Sequence, residues 1–153
     1  MSGPAVIDSP EALHALVGVE LGPSGPLVVE QQRIDAFADV TGDHQWIHVD
    51  PERAATGPFG GVIAHGQLTL SLVTALAPEL YSVELGTARV NYGFERVRFP
   101  AVVPVGSTLR LSCRVTDVQE RDGSWLVTFR FTMLRDGHDR PVCVADKLSL
   151  ILA

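Results

Sequence analysis

The chain has 153 residues, 46% hydrophobic and 20% charged, which excludes a disordered polypeptide and fits one domain spanning 1–153. Lys and Arg number 12 against 18 Asp and Glu, a net charge of -6, so the basic face that a nucleic-acid binder needs is not expected. Two cysteines are too few for a disulfide framework or a four-ligand zinc site.

Met1 to Pro10 has no basic start followed by an apolar block, so no signal peptide is expected and a reduced, cytoplasmic setting is the reading. Ser9-Pro10-Glu11 predicts a helix start, with Ser as N-cap and Pro at the first position, running to Val17 and stopping at Gly18. Leu27 to Glu30 is a short strand candidate. Ile34, Phe37, Ala38 and Thr41 fall on one face of a short helix that Gly42 ends. Asp50-Pro51-Glu52 restarts a helix through Ala55, and Thr56 to Gly61 is a loop. From Gly66 to Ala77 the sequence is apolar nearly all round, with only small hydroxyls, which predicts a buried helix. It is too short to span a membrane, which takes roughly 18 apolar residues.

After residue 82 the pattern changes to alternating runs. Strands are expected over Thr87 to Arg98, through Leu109, Leu111, Cys113 and Val115, through Trp125, Val127, Phe129 and Phe131, and over Val142 to Leu152. Asp122-Gly123 and Asp136-Gly137 mark turns between them. Cys113 and Cys143 lie inside strands, where packing is their expected role. A buried helix with a largely antiparallel sheet is an α+β domain, and the sheet must curl to cover the helix.

Polar residues concentrate between Gly42 and Gly66: Asp43, His44, His48, Asp50 and His65. Asp43 follows Gly42 where a turn would use its side chain on the local backbone, and Asp50 before Pro51 reads as an N-cap. His44 reads as an exposed neighbour. His44 and His48 have the spacing of a helical metal pair, but Gly42 and Asp50-Pro51 bracket them, so no helix and no metal site are expected there. The glycines at 57, 60 and 61 do not form a dinucleotide fingerprint. Gly66 opens the buried helix, so its N–H has no intrahelical partner, and without a side chain it admits close approach by an oxyanion. An acid and an imidazole beside such a donor suit proton chemistry next to a carbonyl.

The segment Phe37-Ala38-Asp39-Val40-Thr41-Gly42-Asp43-His44-Gln45-Trp46-Ile47-His48-Val49-Asp50, with Ile63-Ala64-His65-Gly66-Gln67-Leu68-Thr69-Leu70-Ser71-Leu72, resembles the MaoC-like or (R)-specific enoyl-CoA hydratase family. Its pattern is Gly-Asp-x-Asn-Pro-x-His, then a loop and His-Gly before the long helix; Gln45-Trp46 departs from the Asn-Pro. Asn91-Tyr92-Gly93, Val97-Arg98-Phe99-Pro100 and Val103-Pro104-Val105-Gly106 resemble its later signatures.

The resemblance implies the hot-dog fold, a curled antiparallel sheet around one long helix, and a homodimer. It implies Asp43 and His48 as catalytic residues and Gly66 as the oxyanion position, with His65, Ser71 and Thr74 as further substrate-binding candidates. The implied reaction is reversible syn addition of water to a trans-2-enoyl-CoA, needing neither cofactor nor metal. The same family and fold leave open a dehydratase acting on acyl carrier protein, an acyl-CoA thioesterase and a non-catalytic acyl-binding module.

Overall fold

The computed structural model describes residues 3–153. Met1 and Ser2, the start of the expected single-domain span and of the stretch read as carrying no signal peptide, lie outside the described residues. The chain opens with β1 (Ala5–Ile7) and α1 (Pro10–Ala15). Ser9 caps α1 by accepting the Ala12 N–H at 3.2 Å, and Gly18 follows in the left-handed region. Next come β2 (Glu20–Leu21), β3 (Leu27–Val28) and α2 (Gln31–Thr41). β3 is shorter than expected because Glu30 begins the helix instead, its carbonyl accepting the Arg33 and Ile34 N–H groups. α2 buries Ile34 and Ala38 and ends at Gly42, which adopts φ 79 and donates its N–H to the Ala38 carbonyl.

Two short helices follow, α3 (Trp46–Val49) and α4 (Pro51–Ala55). α3 corrects the expectation of non-helical chain between Gly42 and Asp50. One turn fits there because the Gln45 and Trp46 carbonyls accept the His48 and Asp50 N–H groups. Asp50 caps α4 as its sequence predicts, accepting the Arg53 N–H at 3.0 Å.

The expected buried helix forms in two segments, α5 (Gly66–Ser71) and α6 (Val73–Leu76), followed by a 3₁₀ turn at Ala77–Glu79. The break is a tightening at Leu72, whose carbonyl accepts the Ala75 N–H at 3.1 Å. Leu68, Leu72, Val73 and Leu76 are buried, whereas Ser71 and Thr74 are exposed. Ser71 and Thr74 therefore mark an outward face, whereas Thr69 is buried, and the helix is buried on one side.

β4 (Tyr81–Val83) pairs in parallel with β1, a two-stranded ribbon not foreseen from the sequence. The main sheet is antiparallel with order β2-β6-β7-β8-β5, β3 also pairing with β6. Its long strands are β5 (Ala88–Arg98), β6 (Thr108–Arg121), β7 (Ser124–Arg135) and β8 (Cys143–Leu152). Register shifts interrupt β5 between Asn91 and Gly93 and between Phe94 and Arg96, and β6 between Val115 and Asp117. Such bulges bend strands and increase twist, and the sheet curls toward the helix without closing into a barrel.

The alternating residues Leu109, Leu111, Cys113, Val115, Phe129 and Phe131 are all buried in one hydrophobic cluster with Leu68, Leu72 and Leu76. Burying one such large side chain is worth about 1.5–3 kcal/mol. Both cysteines are in this cluster, and burial pushes the Cys113 thiol up to about 12 and the Cys143 thiol up to about 11. No helix among the described residues is long and apolar enough to cross a membrane.

Candidate active site

Three segments converge at the start of α5. Gly42 turns the chain out of α2 and presents Asp43. α3 carries His48, and His65 immediately precedes Gly66. A carboxylate oxygen of Asp43 and one ring nitrogen each of His48 and His65 lie within 4.8 Å of one another. His48 and His65 are buried, 6% and 2% exposed, whereas Asp43 is exposed.

Both imidazoles are held by carbonyl groups, and a carbonyl can only accept. His48 Nδ1–H therefore donates to the Ile63 carbonyl at 2.6 Å, which leaves Nε2 as the nitrogen with a free lone pair. His65 Nε2–H donates to the Asp43 carbonyl at 2.9 Å, tying the turn that carries the acid to the start of α5. The two rings stack at 3.8 Å between centroids, and Phe37 of α2 packs on His65 at 4.9 Å. His65 Nδ1 is buried with no partner. Gln31, also from α2, donates to the His48 carbonyl at 2.8 Å. Burial holds the His48 pKa below its ordinary value; His65 pushes it the same way, while the Ile63 contact and Asp43 oppose. The ring is thus neutral near pH 7.

The turn role that sequence suggests for Asp43 is present: Oδ1 accepts the Gln45 N–H at 3.3 Å. Its proximity to the two histidines adds to that role. His44 lies apart from the cluster, exposed and paired with Asp39 at 2.8 Å, and this contact raises its pKa. Cation-binding chemistry would draw on Asp43, His48 and His65 rather than on His44, with one nitrogen of each buried ring already committed to a carbonyl.

A cavity of about 280 Å³ opens beside His48, lined by Gly66, Thr69, Phe99, Val103 and Val142 among others. Gly66 is outside the left-handed region, and a Cβ there would meet the Phe99 ring at 3.1 Å. Ser71 and Thr74 are not brought to this cavity. Ser71 is exposed and its hydroxyl donates to the Gln67 carbonyl at 2.8 Å, while Thr74 lines a separate cavity. Thr69 is the hydroxyl residue of this helix that lines the cavity, its hydroxyl donating to the His65 carbonyl at 3.2 Å. It lies three residues after Gly66, a spacing that puts both on one helix face and could have identified it. Phe99 immediately follows β5 and carries no local signal. Trp46 does not line the cavity: its ring packs over Gly57 and under Arg53, 4.4 Å from the guanidinium.

The MaoC like domain matches residues 14–134. The 3-hydroxyacyl-thioester dehydratase Z of Mycobacterium tuberculosis is 44% identical over 137 residues, covering 89% of this chain and 91% of that protein. Nodulation protein N of Rhizobium leguminosarum bv. viciae is 44% identical over 141 residues, covering 88% and 86%. Among solved structures, a Monoamine oxidase regulatory protein from Archaeoglobus fulgius superposes with a TM-score of 0.80 at 27% identity, covering 97% of each chain. The (R)-hydratase from A. caviae involved in PHA biosynthesis superposes at 0.67 with 24% identity, covering 87% of this chain and 96% of that one. The helix inside a curled, open sheet is the hot-dog fold that these structures share.

Proposed function

The chain belongs to the MaoC-like dehydratase family of hydro-lyases, and on that premise we propose that it hydrates trans-2-enoyl-CoA reversibly to the (R)-3-hydroxyacyl-CoA. One observation carries the reading. The Asp43 carboxylate and the His48 ring lie within 4.8 Å of one another, and His48 has Nδ1 fixed on the Ile63 carbonyl. Two hydrogen bonds of about 2.8 Å through one water span such a gap.

Asp43 and His48 hold that water and take its proton as oxygen attacks C3, and the proton is returned to C2 on the same face of the double bond. The thioester oxygen, on which enolate charge grows, takes the Gly66 N–H as donor. His65 is the group that keeps Asp43 and His48 in register, and the apolar lining from Phe99 to Val142 receives the acyl group. The reading is supported by the neutral, buried His48, by the shared cavity of His48 and Gly66, and by the dehydratase relatives. No step requires a metal or a cofactor.

The working unit in this reading is a homodimer. β5 is an edge of the main sheet, and it leaves Val90 46%, Tyr92 56% and Phe94 45% exposed. An apolar edge of that kind favours pairing with a second copy.

The test is turnover of Asp43→Asn and His48→Gln. Each is nearly isosteric and should reduce kcat by about 10²–10⁴ while leaving the fold intact. The double variant should lose far less than the product of the two, because both groups act on one water. Wild-type rates in variants that melt earlier would make the two residues structural and overturn the assignment.

A further inference from the structure

A second cavity, of about 510 Å³, lies further along the same helix face. Gly66, Thr69, Val73 and Ala77 follow one another at helical spacing; the first two line the cavity beside His48 and the last two line this one. On its sheet side stand Arg89 and Asn91 from β5 and Lys147 and Ser149 from β8. Among the described residues, no carboxylate lines it.

Lys147 is the anomaly. It shares its strand face with Ala145, Ser149 and Ile151, all buried, and its register partners are Phe94 on β5 and Phe129 on β7. A cation on that face needs a partner. Among the described residues, no ion pair engages Lys147 or Arg89. Burial, and then the charge of Arg89, hold the Lys147 pKa below its ordinary value. Asn91 and Ser149 stand opposite each other in the β5–β8 register and offer an amide and a hydroxyl beside the two cations. The rest of the wall, including Val73, Phe129 and Ile151, is apolar. An inorganic anion would leave that wall uncovered, whereas a carboxylate on a hydrocarbon stem matches both halves.

We propose that this cavity binds a carboxylate carried on a short apolar chain, with Lys147 and Arg89 holding the charge and Asn91 and Ser149 completing its hydrogen bonds. Two sources present that chemistry. One is a free carboxylic acid. The other is the far end of the acyl group of a bound thioester: Thr74 is about 12 Å along the helix from Gly66, within reach of an extended acyl chain. The second source rests on the hydratase reading.

The experiment titrates hexanoate and its neutral counterpart hexanamide into the wild-type protein, Lys147→Met and Arg89→Gln by calorimetry. Hexanoate should bind the wild type at least about tenfold more tightly than hexanamide. Each substitution should weaken hexanoate by about 10- to 100-fold, the scale of a charge-assisted hydrogen bond, with hexanamide little changed. Arg89 is exposed, so Arg89→Gln carries the test if Lys147→Met does not fold. Equal affinity for the two compounds, or hexanoate binding undiminished in the folded variants, overturns the proposal.

A second arm compares kcat/KM for trans-2-enoyl-CoAs ending in a carboxylate with those ending in a methyl group. A carboxylate-to-methyl ratio that falls in Lys147→Met identifies the substrate as the source. An unchanged ratio with positive titration identifies the free acid. If neither thioester turns over, the hydratase reading fails while the titration still decides the site.

Discussion

His48 illustrates how one residue's environment sets its chemistry. Its ring is buried and His65 stacks on it, so protonation is disfavoured in the folded state, with the Ile63 carbonyl on Nδ1–H and Asp43 opposing in smaller measure. The sign of the consequence is definite. In the unfolded chain the imidazole takes up its proton near 6.5; in the folded chain it does so only at lower pH. Between those values the unfolded state binds more protons, so stability rises with pH across the window and falls as the pH drops below about 6.5. Urea melts at pH 7 and pH 5 should show a smaller loss of stability in His48→Gln than in wild type. Exposed His44, whose pKa is raised, contributes with the opposite sign in both proteins and drops out of the comparison. Equal losses in the two proteins would contradict the burial account of His48.

At the scale of elements, the start of α5 joins sequence to site. Gly66 brings no side chain to the cavity, and its conformation does not need glycine's freedom. Gly66→Ala therefore strains no φ, but its methyl must displace the Phe99 ring by a few tenths of an ångström. Gly66→Val adds two carbons in the same direction. We expect turnover to fall modestly in Gly66→Ala and by about 10²–10³ in Gly66→Val, the scale of one lost oxyanion donor. A matched drop in melting temperature without a drop in kcat would show that the position matters for packing alone.

The long strands were legible because alternation puts Leu109 to Val115 and Val127 to Phe131 on a buried face, and the caps at Ser9, Gly42 and Asp50 were legible because their chemistry is local. The cluster of Asp43, His48 and His65 was legible through its polar density and its resemblance to a family pattern. What lay outside local pattern was missed. Phe99 reaches Gly66 only through the curl of the sheet, β1 meets β4 across more than seventy residues, and Gln31 steadies His48 from another helix. Ser71 and Thr74 were drawn to the site by their hydroxyls, but Ser71 is exposed with its hydroxyl on the Gln67 carbonyl, and Thr74 lies further along the helix at the second cavity.

On the whole-molecule scale, β5 is long and solvent-exposed at the sheet edge, with Val90, Tyr92 and Phe94 in the open. Light scattering at micromolar concentration should give the mass of two chains; a fully active monomer would contradict the dimer. The central claim is the reaction itself, and one measurement reaches it most directly. Purified protein is incubated with trans-2-enoyl-CoAs of graded length in the presence of a chelator, and the product's configuration at C3 is resolved. The account predicts (R)-3-hydroxyacyl-CoA formed at an undiminished rate. Release of free CoA without hydration, an (S) product, or activity lost to the chelator and restored by zinc would contradict it.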